Sequence, residues 1–105
     1  MMALARVTLL SIGLAAMAGN AWAAGDASRG EALARTWCSN CHFVDDNRRG
    51  VDTAPPLADI ARRGAPDQWR ARAFLQSPHP PMPNFNLATS QIDDIVAYLN
   101  GLTRK

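Results

Sequence analysis

Cys38-Ser39-Asn40-Cys41-His42 is the stretch on which the reading of this chain turns. It is a Cys-x-x-Cys-His pentad, the attachment pattern of c-type haem. Two thiols three positions apart can each form a thioether with one of two neighbouring vinyl groups. The histidine that follows then lies under the ring and offers an imidazole to the iron. Cys38 and Cys41 are the only cysteines in the chain, and His42 and His79 its only histidines. Other chemistries use part of this pattern. A thioredoxin-like redox pair also reads Cys-x-x-Cys, but it belongs in a βαβ context that the chain does not suggest. A tetrahedral zinc site needs four ligands, and beyond the pentad only His79 could be the fourth. A disulfide across two intervening residues would be strained and close a very small loop.

The N-terminus reads as a processing segment. Arg6 supplies a positive start, Val7 to Ala18 is apolar, and Ala21-Trp22-Ala23 fits a small-x-small cleavage pattern. The expectation is a cleaved signal peptide over residues 1–23 and one small domain over residues 24–105, exported to the periplasm. The apolar run is shorter than the roughly 20 residues that span a bilayer, so stable membrane insertion is not expected after cleavage. An uncleaved anchor is the alternative. A core this small usually needs a staple or a cofactor, and haem would add a large apolar plate to pack around.

Charge is nearly balanced, with a formal net charge of +2. No strong field follows, which argues against nucleic acid as a partner. Lys105 is the single lysine, so a lysine-ringed docking face is absent.

The rest of the chain reads as helices and loops. Asp26 to Arg35 predicts a helix capped by Asp26 or Ser28 and running on towards Trp37 and the pentad. Phe43 to Leu57 is polar, contains Gly50 and Pro55-Pro56, and reads as a loop. A short helix is expected from Leu57 to Arg63, stopped by Gly64. Another is expected from Pro66, with Asp67 in its first turn, through Trp69, Phe74 and Leu75 to Ser77. Ser77-Pro78-His79-Pro80-Pro81-Met82-Pro83 can be neither helix nor central strand. Thr89 or Ser90 would cap a last helix with Ile92, Ile95, Val96 and Leu99 as its core stripe, ended by Asn100-Gly101. No strand alternation and no repeat is present, so the fold class is all-α.

Met82 stands out next. Met1, Met2 and Met17 lie in the leader, so Met82 is the one thioether of residues 24–105. The prolines at 78, 80, 81 and 83 limit the backbone around it, which reduces the entropy lost on ligating a metal. Its alternative is core filler. His79, three residues away, is the rival sixth ligand and would give a bis-histidine iron.

With these residues in place, the chain resembles the class I cytochromes c of the small bacterial monohaem type over roughly Gly30 to Leu102. The resemblance implies three to five helices wrapped around one covalently attached haem c, with His42 and Met82 as axial iron ligands. Gly30 matches the small residue at the crossing of the first and last helices, and Tyr98 the aromatic packed there. Thr53-Ala54-Pro55-Pro56-Leu57 is similar to the family's Gly-Pro-x-Leu stretch. This implies that the Pro55 carbonyl accepts a hydrogen bond from the free ring nitrogen of His42 and that Leu57 packs on that face of the haem. Met82-Pro83-Asn84-Phe85 resembles the distal ligand loop, with Asn84 near the haem or the sulfur. Ala34 departs from the pattern, since an aromatic usually stands there, and Trp37 is the candidate to fill that volume. Trp69 reads either as helix core or as an indole donor to a propionate. Arg48, Arg49, Arg62 and Arg63 read as solvated charge, or as partners of propionates or of another protein.

The function this implies is one-electron transfer between redox proteins, without substrate chemistry: no Ser/His/Asp set or catalytic carboxylate pair is visible. A haem c subunit of an exported dehydrogenase or oxidase complex is the alternative. A gas-binding or peroxidatic haem protein, which needs an open sixth site, is the third.

Overall fold

A computed structural model describes residues 25–77 and 79–103, together with residue 13. The segment expected to be a leader (residue 13 aside), the cleavage expected after Ala23, and Pro78 lie outside the described residues. The chain adopts the all-α class expected. Its helices are α1 (Ala27–Trp37), α2 (Leu57–Gly64), α3 (Trp69–Gln76) and α4 (Thr89–Leu102). Extended pairing among the described residues is limited to two isolated bridges, Phe43 with Gly50 and His79 with Met82.

Asp26 caps α1: its Oδ1 accepts from the Arg29 N–H at 2.8 Å. The Asp26 N–H in turn donates to Asp94 Oδ1 on α4 at 2.7 Å, and Arg29 Nε lies 3.3 Å from Asp94 Oδ2. Asp94 is buried, and these donors offset the cost of removing its carboxylate from water. Here α1 crosses α4 at close range. A methyl group at Gly30 would collide with the Asp94 carbonyl and lie 2.9 Å from Tyr98 Cβ. Glycine is required by contact, as the resemblance implied.

The core stripe on α4 is as read: Ile92, Ile95, Val96 and Leu99 are buried, joined by Tyr98 and Leu102. The ends of α4 differ from expectation. Its N-cap is Ala88 rather than Thr89 or Ser90, and the Ala88 N–H donates to Gln91 Oε1 at 2.8 Å. Gly101 does not stop the helix: α4 runs one residue further, and that residue, Leu102, is part of the core.

The start of α3 is a second difference. Pro66 sits in a turn over residues 65–67, and the helix begins at Trp69. Gln68 is the reason. It is fully buried, adopts a left-handed φ of 55°, and its Nε2 donates to the Ala61 carbonyl of α2 at 2.7 Å. A left-handed non-glycine residue costs about 1 kcal/mol or more, which a buried hydrogen bond of this kind can offset. Gly64 leaves room for the amide, since a methyl there would strike Gln68 Oε1. The helix α3 then docks through Ala71 and through Arg72 Nη1, 2.7 Å from Asp93 Oδ1 on α4. Trp69 is not helix core: it is 62% exposed, with the Arg70 guanidinium 5.6 Å from its ring centroid.

Tyr98 joins the crossing to the chain beyond the pentad, its hydroxyl donating to the Val44 carbonyl. Burial pushes this hydroxyl from 10 up to about 12, and the nearby Glu31 and Asp45 carboxylates push it the same way. The folded chain therefore holds this proton more tightly than the unfolded chain does. The associated stability is fully present below pH 10 and is lost as pH rises towards 12. Tyr98→Phe is expected to cost about 1 kcal/mol at pH 8, by leaving the Val44 carbonyl unpaired. It should also flatten the fall in stability between pH 10 and 12. Urea melts of both proteins across that range check this.

Candidate haem-binding site

The pentad occupies the turn in which α1 ends. The Cys38 N–H donates to the Ala34 carbonyl at 2.8 Å as the last helical bond. The Cys41 and His42 N–H groups then both point to the Cys38 carbonyl, at 3.2 and 2.9 Å. Ser39 Oγ hooks back to the Arg35 carbonyl at 2.7 Å. The turn leaves Cys38 buried, Cys41 exposed and His42 buried, and both thiols are free. Burial pushes the Cys38 thiol up to about 11, so it is protonated near neutral pH. A redox-active Cys-x-x-Cys pair needs the opposite shift. Among the described residues no three His, Cys, Asp or Glu side chains gather to hold a metal ion unaided. No strand pair of a thioredoxin-like βαβ unit is present among them either.

The segment after the pentad folds back to meet His42. The Val44 N–H donates to Arg49 O at 2.8 Å, Ala54 N–H to Cys41 O at 2.7 Å, and Leu57 N–H to Phe43 O at 2.9 Å. Gly50 closes the loop with a φ of 111°, and a side chain there would strike the His42 carbonyl. These bonds bring the Pro55 carbonyl to 2.5 Å from His42 Nδ1. A carbonyl oxygen can only accept, so the proton is on Nδ1 and the lone pair is on Nε2. Leu57, buried at the start of α2, lies two residues beyond Pro55.

Met82 is half-buried on the bridge it forms with His79. Its N–H donates to the His79 carbonyl at 3.0 Å, with Pro80 and Pro81 as the turn between them. The His79 ring packs against Phe74 in a tilted arrangement, with centroids 4.4 Å apart, and its buried Nδ1 has no partner. Asn84 Oδ1 accepts from the Asn86 N–H at 2.9 Å, an arrangement internal to the loop. Asn84 also lines a shallow polar cleft with Leu75, Gln76, Leu87 and Thr89. Phe85 meets Trp37, their ring centroids 5.4 Å apart.

The structure thus joins His42 to Pro55, Met82 to His79, and Trp37 to Phe85, whereas Trp69 stands out in solvent on α3. Trp37 does not occupy the core position of Ala34. Ala34 is fully buried, and Trp37 lies 47% exposed at the rim. Arg49 pairs with Asp45 and Arg62 with Asp59, while Arg48 lies over the Phe43 ring at 5.8 Å. Gln68 and the Trp37–Phe85 contact were not visible in the sequence. Both are tertiary contacts without a local spacing signal.

The donor set fits a haem: two free thiols in one turn, an imidazole with an oriented Nε2 lone pair, and a thioether on a constrained loop. Residues 25–99 match the family described as cytochrome C oxidase, cbb3-type, subunit III. Cytochrome c-552 of Bradyrhizobium diazoefficiens is 41% identical over 81 residues, covering 75% of this chain and 77% of that protein. The chain belongs to the c-type cytochromes. No solved structure matches it. The cytochrome is an electron-transfer protein rather than an enzyme. Its cofactor is a covalently attached haem c, and one haem suits a domain of this size. Among the described residues no helix is long and apolar enough to cross a membrane.

In the reduced, diamagnetic cytochrome, nitrogen-15 NMR is expected to find the His42 proton on Nδ1. Its exchange with water should be slower than that of an exposed imidazole N–H. A proton found on Nε2 instead would contradict the assignment.

Proposed function

We propose that the cytochrome is a periplasmic one-electron carrier whose haem is held by Cys38 and Cys41 and ligated by His42 Nε2 and Met82 Sδ. The observation that carries this reading is the His42–Pro55 contact. It leaves one ring nitrogen with a free lone pair and fixes the plane of the ring. Haem supplies a one-electron couple at its iron. The chain's own part is to hold two ligands that stay put while the charge changes. Met82 is suited to this by its bond to His79 and by its flanking prolines, which lower the entropy lost on ligation. A thioether opposite an imidazole also favours the reduced state and closes the site to added ligands. Leu57 packs against the His42 side in this reading. The Asn84 side chain, whose Oδ1 is already engaged by the Asn86 N–H, and the solvent-exposed Trp69 indole carry no part of this reading.

Donor and acceptor would be other redox proteins, met through a small, transient interface. The family description favours a second reading, a haem c subunit of an exported oxidase complex. Gel filtration of the exported protein separates the two: a carrier elutes as a monomer, and a subunit co-elutes with an enzyme. The exported chain is expected to begin at Ala24, which N-terminal sequencing checks.

The ferric protein should show a weak far-red sulfur-to-iron band, and the ferrous protein should not respond to carbon monoxide. Met82→Ala should abolish the band, admit carbon monoxide and lower the reduction potential. A spectrum unchanged in Met82→Ala but altered in His79→Ala would overturn the assignment in favour of bis-histidine ligation.

A further inference from the structure

We propose that Trp37 and Phe85 act as an aromatic clasp that holds the Met82 loop against the haem-attachment end of α1 and sets how readily the sixth position opens. This inference rests on the ligation by Met82 proposed above. Trp37 is the last residue of α1 and directly precedes Cys38, whereas Phe85 lies three residues beyond Met82. Their rings meet at 5.4 Å with an interplanar angle of 45°, within the tilted geometries that aromatic pairs favour. The contact therefore ties the segment carrying the thiols and the imidazole to the segment carrying the thioether.

Few other ties do so. Among the described residues, the hydrogen bonds of the Met82 loop stay local. Met82 N–H reaches His79 O, Asn86 N–H reaches Asn84 Oδ1, and Ala88 N–H reaches Gln91 Oε1. The His79 ring leans on Phe74 of α3, and Leu87 packs on the core. The His79–Phe74 contact ties the loop to α3, and the core on which Leu87 packs is shared by several elements, so the Trp37–Phe85 pair is the ring contact that joins the loop to the last residue of α1. Residues 83–88 carry no regular secondary structure that would stiffen the loop from within.

Trp37 is also badly placed to be core packing. It is 47% exposed, and the core on that helix is made by Ala34 and its neighbours. Its indole is instead spent on the loop. Trp37 and Phe85 are thus positioning residues, acting on the iron through Met82. Losing a surface aromatic pair of this kind should raise the open population of the loop roughly three- to ten-fold.

The test uses the exported, haem-loaded chain, with imidazole as the entering ligand. The rate at which imidazole removes the far-red band of the ferric protein is followed in the wild type and in Trp37→Ala, Phe85→Ala, the double variant and Trp37→Phe. The expected result is a three- to ten-fold faster loss in either alanine variant. No further gain should appear in the double variant, and Trp37→Phe should restore near wild-type rates. Phe85→Ala reads the same contact from the loop side should Trp37→Ala fail to load haem. A role confined to stability would lower the urea midpoint and leave imidazole entry at the wild-type rate; that result overturns the clasp, as does simple additivity in the double variant. Wild-type protein without a far-red band, or with a band that survives Met82→Ala, overturns the Met82 ligation and the clasp together. A Met82-dependent band with unaltered imidazole entry in both alanine variants overturns the clasp alone.

Discussion

The passage of α1 over α4 governs the placement of everything else. At Gly30 the backbone of one helix lies directly against the Asp94 backbone of the other, at a separation that no side chain could enter. Asp94 at the same level is buried, and an isolated buried carboxylate would be costly. It accepts from the Asp26 N–H and from Arg29, so the group that could have weakened the crossing fastens the first turn of α1 instead. One helical turn further along α4, Tyr98 reaches the Val44 carbonyl, two residues past His42. A single face of α4 therefore positions both the start of α1 and the chain leaving the pentad.

From that frame the orientation of His42 follows by short steps. The helix ends at Trp37, the pentad turns on the Cys38 carbonyl, and the Cys41 and Phe43 carbonyls accept from Ala54 and Leu57 on either side of Pro55. Pro55 has no N–H of its own and a restricted φ, so its carbonyl direction is largely set by these neighbours. The imidazole is held by a bond to backbone rather than to a mobile side chain, and it is held by the nitrogen that is not needed for a metal.

Legibility in the sequence tracked how local each feature is. The pentad was readable because two thioethers and a ligand must be close in sequence to act on one ring. The stripe of Ile92, Ile95, Val96 and Leu99 was readable because burial on a helix repeats with a fixed period. Gln68 was not, because its left-handed backbone is justified only by the Ala61 carbonyl on another helix. That one residue moved the start of α3 past Pro66 against the propensity for proline in a first turn. The helix-core reading of Trp69 failed for a related reason. Its bulk favours burial, but α3 is short and docks through Ala71 and Arg72, which turns the indole outward. The end of α4 was decided by the burial of Leu102, which outweighed the tendency of Asn100-Gly101 to break a helix.

The two sides of the proposed haem site differ in how they are built, and the difference has a physical sense. The His42 side is tied into a relay of backbone hydrogen bonds and follows covalently from two cysteines, so it has little freedom to leave. The Met82 side is a loop stiffened by proline, and a thioether is a weak donor that any stronger ligand can displace once the loop swings away. The durability of such a bond depends on the loop's own equilibrium as much as on the sulfur. Contacts remote from the metal, each small on the scale of folding, then act directly on that equilibrium: prolines that narrow the open ensemble, and a ring contact that stabilises the closed one. A chain in which the thioether carries the sixth position is thus expected to spend aromatic surface at the rim, as Trp37 does, rather than bury it in the core.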